Sequence, residues 1–203
     1  MMRLFMTPGS PYARIVRIQA IEQGLAPRIE NVPTTLRDPK ATVLPYSPLG
    51  RVPVLEADDG LAIGDTKTIC AYLDRLHVGP PFVAIGGASL WQDRAFEAFA
   101  IGFLDGIIHW GRELARPPEA QSAHMRDAEA ARARRCLDHL EGRAGTLSTA
   151  VAFGPVTLLC ALAYLDRQPT GMNWRDGRPG LAAWFATMAA RPSFAATAPP
   201  PKA

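Results

Sequence analysis

The stretch Arg51-Val52-Pro53-Val54-Leu55-Glu56-Ala57-Asp58-Asp59-Gly60-Leu61-Ala62-Ile63-Gly64-Asp65-Thr66 decides how the first part of the chain folds. Val52 to Glu56 and Leu61 to Ile63 are short apolar runs, and the Asp58-Asp59-Gly60 between them is a hairpin turn signal. Asp65 then opens a segment in which Ile69, Tyr72, Leu73 and Leu76 recur at helical spacing, so a helix over 65–76 follows the second strand directly. The Val52-Pro53 bond stands at a strand entrance. An ordinary trans proline fits there. A cis bond fits too, and would turn the Val52 backbone N–H and C=O outward for pairing with an extended peptide.

Upstream, Arg3 to Met6 is an apolar run that stops at Thr7-Pro8-Gly9, as a buried strand does. Ser10-Pro11 supplies an N-cap followed by proline at the first helical position. Ile15, Ile18, Ile21 and Leu25 continue the helix, and Gly24 marks its end. Arg28 to Val32 reads as a second strand, and the prolines at 33, 39, 45 and 48 permit only irregular chain or a short helix after it. The order is strand, helix, strand, irregular chain, hairpin, helix.

Downstream the composition changes. Residues 1 to 80 hold seven alanines and nine prolines, whereas 81 to 203 hold 26 alanines. Alanine is the best helix former and proline the worst. The expected organisation is a first domain over 1–77, a linker at 78–85 around Gly79-Pro80-Pro81, and an all-helical domain over 86–203. Helices are expected near 88–115, 118–142, 155–167 and 181–190, before a proline-rich tail at 199–201. Trp91, Phe96, Phe99 and Phe103 form an apolar stripe at helical spacing, which reads as core. The uncharged run Ala144 to Leu165 is split by Gly154-Pro155, so it reads as a buried core helix starting at Pro155 and not as a membrane span.

The pI near 9.0 comes from 22 basic against 19 acidic residues. The densest basic stretch, Arg132, Arg134, Arg135 and Arg143, is interleaved with Asp127, Glu129, Asp138 and Glu141. That pattern is a solvated helix face, and no nucleic-acid partner is expected. Cys70, Cys136 and Cys160 show no paired spacing and read as buried reduced thiols. Neither CxxC nor HExxH occurs, and His77, His109, His124 and His139 have no ligand spacing, so no metal is expected. The apolar start is too short for a signal peptide, and the reading is a soluble, cytoplasmic protein without a membrane partner.

Three places suit a small anionic ligand. Ser10, with Thr7 and Tyr12 close by, faces the unpaired N–H groups at a helix start, an environment that lowers the pKa of a thiol. Asp65-Thr66 opens the second helix, where N–H groups can hold a carboxylate and Asp65 can pair with an ammonium. Val52-Pro53 is the third. Taken singly, the first two are better explained as plain helix caps.

Taken together, their order and spacing resemble the cytosolic glutathione transferase family across nearly the whole chain. Ser10-Pro11-Tyr12-Ala13 is similar to the redox Cys-Pro-Tyr-Cys of glutaredoxins with both cysteines replaced. Pro45-Tyr46-Ser47-Pro48-Leu49-Gly50-Arg51-Val52-Pro53-Val54-Leu55 resembles the family's Asn-Pro-x-Gly-Lys-Val-Pro-x-Leu, and Asp65-Thr66-Lys67-Thr68-Ile69-Cys70-Ala71-Tyr72-Leu73 resembles its Glu-Ser-x-x-Ile-x-x-Tyr-Leu. Tyr164-Leu165-Asp166, Trp184 and Arg191-Pro192-Ser193-Phe194 look like segments of bacterial members.

The resemblance implies an α/β thioredoxin-like N-terminal domain followed by an all-α domain, and a homodimer. It implies glutathione as co-substrate, conjugated to a small hydrophobic electrophile in detoxification-type chemistry. Val52 would pair through its backbone with the cysteinyl unit, with Pro53 cis. Asp65 and Thr66 would hold the γ-glutamyl end, Arg51 would reach the glycyl carboxylate, and Ser10 would hydrogen-bond the sulfur. Tyr12, Ile108, His109 and Arg112 are the candidates for the electrophile pocket, expected between the domains. The competing reading is a non-catalytic module that keeps this fold for protein contacts. The absence of cysteine at Ser10 and Ala13 argues against a thiol–disulfide oxidoreductase, and the absence of a Gly-x-Ser-x-Gly elbow argues against a serine hydrolase. One departure from the family pattern stands out. Gly154-Pro155-Val156-Thr157 replaces the usual Ser/Thr-x-x-Asp capping box of the core helix.

Overall fold

The computed structural model describes residues 1–201; the last two residues of the expected helical domain lie outside the described residues. The chain divides into two compact units. The first comprises Met1–Gly87, Val151–Phe153 and the chain from Pro192 on, and the second Ala88–Ala150 and Gly154–Arg191.

The first unit carries β1 (Met2–Met6), α1 (Pro11–Glu22), β2 (Ile29–Pro33), β3 (Val54–Glu56), β4 (Ala62–Gly64), α2 (Thr66–Asp74) and a last short helix, α7 (Pro192–Ala196). The sheet order is β2-β1-β3-β4. β1 and β2 are parallel, and the other two pairs are antiparallel. Leu4 and Leu55, paired across β1 and β3, are both buried, and so are the next pair, Phe5 and Val54, so the centre of the sheet is covered on both faces. Gly60, with φ of 85°, closes the β3–β4 hairpin as its sequence predicts.

Asp74, the last residue of α2, ties this unit together. Its carboxylate accepts from the Gln19 and Gln23 side-chain amides at 3.1 and 2.7 Å, and from the Phe82 and Val83 backbone N–H groups at 2.9 Å each. α7 has no counterpart among the expected helices. It is held by Arg14 of α1, whose buried guanidinium stacks 3.8 Å from the Phe194 ring centroid and donates to the Phe194 carbonyl at 2.8 Å. A cationic side chain in an amphipathic helix reads from sequence as solvent-facing, which conceals such an anchor.

The second unit carries α3 (Leu90–Leu114), α4 (Ala123–Glu141), the residues of α5 (Phe153–Leu165) from Gly154 on, and α6 (Pro179–Ala189). Glu141 caps α6 from another helix, accepting from Gly180 N at 3.0 Å and Leu181 N at 2.7 Å. Asp166 takes the Trp174 indole N–H at 2.7 Å and a two-pronged bond from Arg175 at 2.7 and 2.8 Å. Asp166 thereby raises the pKa of the Arg175 guanidinium.

Three expectations are corrected here. The core helix begins at Phe153, two residues before Pro155. Gly154 is therefore the second helical residue and not the cap; a Cβ on it would stand 2.7 Å from Phe96 Cδ1, so the glycine admits the Phe96 ring. The aromatic stripe of α3 is not uniformly core. Phe103 is buried, Phe96 and Phe99 are half-buried, and Trp91 is 78% exposed, because the buried face runs through Glu97, Ala100, Leu104, Ile107 and Gly111. Cys136 is half-buried where full burial was expected, although Cys70 and Cys160 are buried; all three thiols are free. Among the described residues, no helix is long and apolar enough to cross a membrane, and no group of three or more His, Cys, Asp or Glu could hold a metal ion.

Candidate active site

The sheet topology brings the three anion-suited segments to one place. β1 ends at Met6, and β3 runs antiparallel to it with Phe5 opposite Val54. β4 runs antiparallel to β3 with Gly64 opposite the same Val54. The chain leaving β1 (Thr7 to Ser10), the chain entering β3 (Val52-Pro53) and the chain leaving β4 (Asp65-Thr66) therefore lie at the same end of the sheet. None of the three is specific alone; the register makes them neighbours.

Ser10 is the N-cap of α1. Its backbone N–H donates to the Thr7 carbonyl at 3.0 Å, and its hydroxyl oxygen accepts from Ala13 N at 3.2 Å. The expected cap is thus formed. Acting as acceptor there, the hydroxyl keeps its own proton for a bond to an incoming anion. The first turn of α1 holds no acidic side chain, so its positive end has no carboxylate of its own nearby to neutralise it. Ser10, Thr7 and Tyr12 are all half-buried, within reach of solvent and of a ligand.

The Val52-Pro53 peptide is cis. Val52 lies outside the β1–β3 ladder, and its half-buried side chain packs on the cluster of Phe5, Ala41, Val43 and Val54. The side chain is anchored inward while the backbone lies beyond the paired strands. Arg51, next to it, is exposed.

Asp65 caps α2 through Oδ1, which accepts from Lys67 N at 2.9 Å and Thr68 N at 3.1 Å. Its φ of 70° with ψ of 131° is a conformation that costs a non-glycine residue about 1–3 kcal/mol. Strain of that kind persists where the surroundings over-determine it, and the double cap does so here. Asp65 is exposed, while Thr66 is 5% exposed at the first helical position. Lys67 was not singled out in the sequence; its ammonium lies 5.7 Å from the Phe153 ring centroid, and only its place in the first turn of α2 hints at a role.

The expected electrophile contacts are distributed over both units. Tyr12 is on α1 of the first unit. Ile108, His109 and Arg112 are on α3 of the second, with Ile108 buried and the other two exposed. Burial pushes the Tyr164 phenol up, and the positive charge of Arg112 partly offsets it.

Comparison with known proteins agrees with this geometry. Residues 4–81 match the family model "Glutathione S-transferase, N-terminal domain", and residues 123–187 match "Glutathione S-transferase, C-terminal domain". A protein of Escherichia coli (strain K12) described as the uncharacterized GST-like protein YibF is 31% identical over 202 residues, covering 98% of this chain and 99% of that protein. A glutathione transferase family member from Pseudomonas fluorescens Pf-5, solved with bound glutathione, superposes with a TM-score of 0.91 at 34% identity, over 98% of this chain and 100% of its own. A further structure from that source, with bound S-(propanoic acid)-glutathione, gives a TM-score of 0.88 at 34% identity and the same coverage.

Proposed function

The chain belongs to the glutathione S-transferase family, and from that premise we propose that it binds glutathione at the end of its sheet and transfers the thiolate to a small hydrophobic electrophile. The observation that carries this reading is the convergence of the Ser10 helix start, the Val52 backbone and the Asp65-Thr66 cap on one end of one sheet. Bound glutathione and a bound glutathione S-derivative in the Pseudomonas fluorescens relatives support it.

In this reading the cysteinyl unit pairs with the Val52 backbone beside Pro53. Its amide groups thereby extend the strand order by main-chain bonds. The γ-glutamyl end sits at the start of α2. Its carboxylate meets the N–H and hydroxyl of Thr66, and its ammonium meets the Asp65 carboxylate. Arg51 supplies the charge for the glycyl carboxylate. The sulfur then faces α1, where the Ser10 hydroxyl donates to the thiolate and the helix end favours negative charge.

Catalysis consists of making that thiolate available. A thiol of ordinary pKa near 8.5 is mostly protonated at neutral pH, and each unit of lowering is worth about 1.4 kcal/mol and raises the thiolate fraction several-fold. The thiolate attacks the electrophilic carbon, the C–S bond forms, and the leaving group departs with its electron pair. Ser10 is not the nucleophile; it stabilises the nucleophile's charge. Tyr12, in the first turn of the same helix, flanks the sulfur on the electrophile's side.

Calorimetry with glutathione, followed by turnover of a chloronitrobenzene acceptor, tests the proposal. Saturable glutathione binding with turnover that falls in Ser10→Ala supports it. Absence of binding at millimolar glutathione would sink it and favour a non-catalytic interaction module. Turnover that falls only in a Thr7 or Tyr12 variant would move the sulfur contact to that hydroxyl.

A further inference from the structure

The second unit has an open cleft of about 270 Å³ that involves none of the residues assigned to glutathione. Its walls come from α3 (Trp110), α4 (Arg134) and the loop before α6 (Met172, Asn173, Asp176 and Arg178). The volume falls just below the range of about 300–1,000 Å³ that suits drug-sized ligands. It suits something the size of a single amino acid.

The charges lining the cleft are unevenly committed. Arg178 is fully engaged: it pairs with Asp138 at 2.6 and 3.0 Å and donates to the Trp174 and Asp176 carbonyls at 3.2 Å. Asp176 accepts from the Asn173 side-chain amide on Oδ1 alone, which leaves Oδ2 for another donor. Arg134, on the facing helix, has no hydrogen-bond or ion-pair partner among the described residues, and it does not pair with Asp176. Trp110 is only 5% exposed, and its indole N–H has no acceptor among the described residues. The ring is buried but the N–H itself is not sealed off, so it is open to water or to a ligand acceptor.

One uncommitted cation, one half-committed carboxylate and one N–H with no acceptor in the protein thus share a cleft with an indole and a methionine. We infer that this cleft is a second binding site, for a small zwitterionic α-amino acid with an apolar side chain. The ligand carboxylate takes the Arg134 guanidinium and the Trp110 N–H. The ammonium takes Asp176 Oδ2, and the side chain lies against Trp110 and Met172. A simple anion satisfies Arg134 but is repelled by Asp176, and a simple cation meets the reverse. Arg134 and Asp176 are exposed, so both ion pairs are screened and the affinity is millimolar.

The test is a calorimetric titration with L-leucine, with and without saturating glutathione. Saturable binding is expected in both conditions. The two single-charge analogues, 4-methylpentanoate and isopentylamine, should bind about tenfold more weakly, the loss of one charge-assisted contact. Arg134→Gln and Asp176→Asn should each weaken leucine about tenfold at unchanged melting temperature. Failure of leucine to saturate, equal binding of either analogue, or wild-type affinity in both variants would overturn the inference. Competition by glutathione would overturn it too, by placing leucine in the first site. Because the titration is read without glutathione as well, its outcome stands whether or not the transferase reading does.

Discussion

The Ser10 hydroxyl oxygen accepts the Ala13 backbone N–H at 3.2 Å, so the cap of α1 and the proposed contact to sulfur rest on a single oxygen. The two roles use different parts of the hydroxyl, a lone pair for the cap and the proton for the thiolate. Ser10→Ala removes both. It should lower unfolding stability by about 1 kcal/mol, the usual worth of a cap, and cut turnover by a larger factor. Ser10→Thr keeps a capping hydroxyl and should recover most of both. Denaturant titration and initial rates on the same preparations separate the two effects. Loss of turnover in proportion to folded fraction alone would mean that Ser10 only caps.

Asp74 gathers four N–H donors on one carboxylate. Asp74→Ala leaves those from Gln23, Phe82 and Val83 without their acceptor in a partly buried place, while the Gln19 amide keeps the Cys70 carbonyl and Gln23 Oε1. Each unsatisfied donor carries a desolvation penalty of about 1–3 kcal/mol, and relaxation toward water recovers part of it. The expected outcome is a loss of several kcal/mol by guanidinium denaturation, among the largest for any polar residue of the first unit. A loss within experimental scatter would show that these bonds are readily replaced by water.

Gly154, the second residue of the core helix, is packed closely by the Phe96 ring. Its absent Cβ would lie 2.7 Å from Phe96 Cδ1 and 3.6 Å from Glu97 N. Gly154→Ser should therefore destabilise by about 1–3 kcal/mol from overpacking. Combined with Phe96→Leu, which opens the space, the same change should become neutral or better. A stabilised single variant would remove the steric account.

Cys136 is the one half-buried thiol, and burial pushes its pKa up against the pull of Arg135 and Arg132. A raised pKa means less thiolate at any given pH. Iodoacetamide should modify Cys136 more slowly than a free cysteine at pH 8, with the rate still climbing above pH 9. Cys70 and Cys160, both buried, should react only on unfolding. A fast-reacting thiol near neutral pH would contradict this.

How much of this was legible in the sequence depended on whether the signal was local. The hairpin, the Ser10 and Asp65 caps and the helix periods are short-range patterns, and each appears where its residues place it. Three features were hidden, two of them because a distant residue decides them. α7 is held by a stacked arginine far away in sequence, and Gly154 in the first turn of α5 is packed by a ring on α3. The positive φ of Asp65 occurs in a residue that no glycine rule would flag. The site itself was legible as three weak motifs with a family resemblance. What joined them was the register, with Val54 opposite both Phe5 and Gly64.

The central claim is that this chain ionises the thiol of bound glutathione through Ser10. The direct measurement is an ultraviolet difference titration of the thiolate in the glutathione complex, for the wild type and for Ser10→Ala. The account predicts a wild-type thiol pKa below that of free glutathione, moving back toward the free value in the variant. An identical pKa in both proteins, or a bound thiol that titrates like the free one, would contradict it.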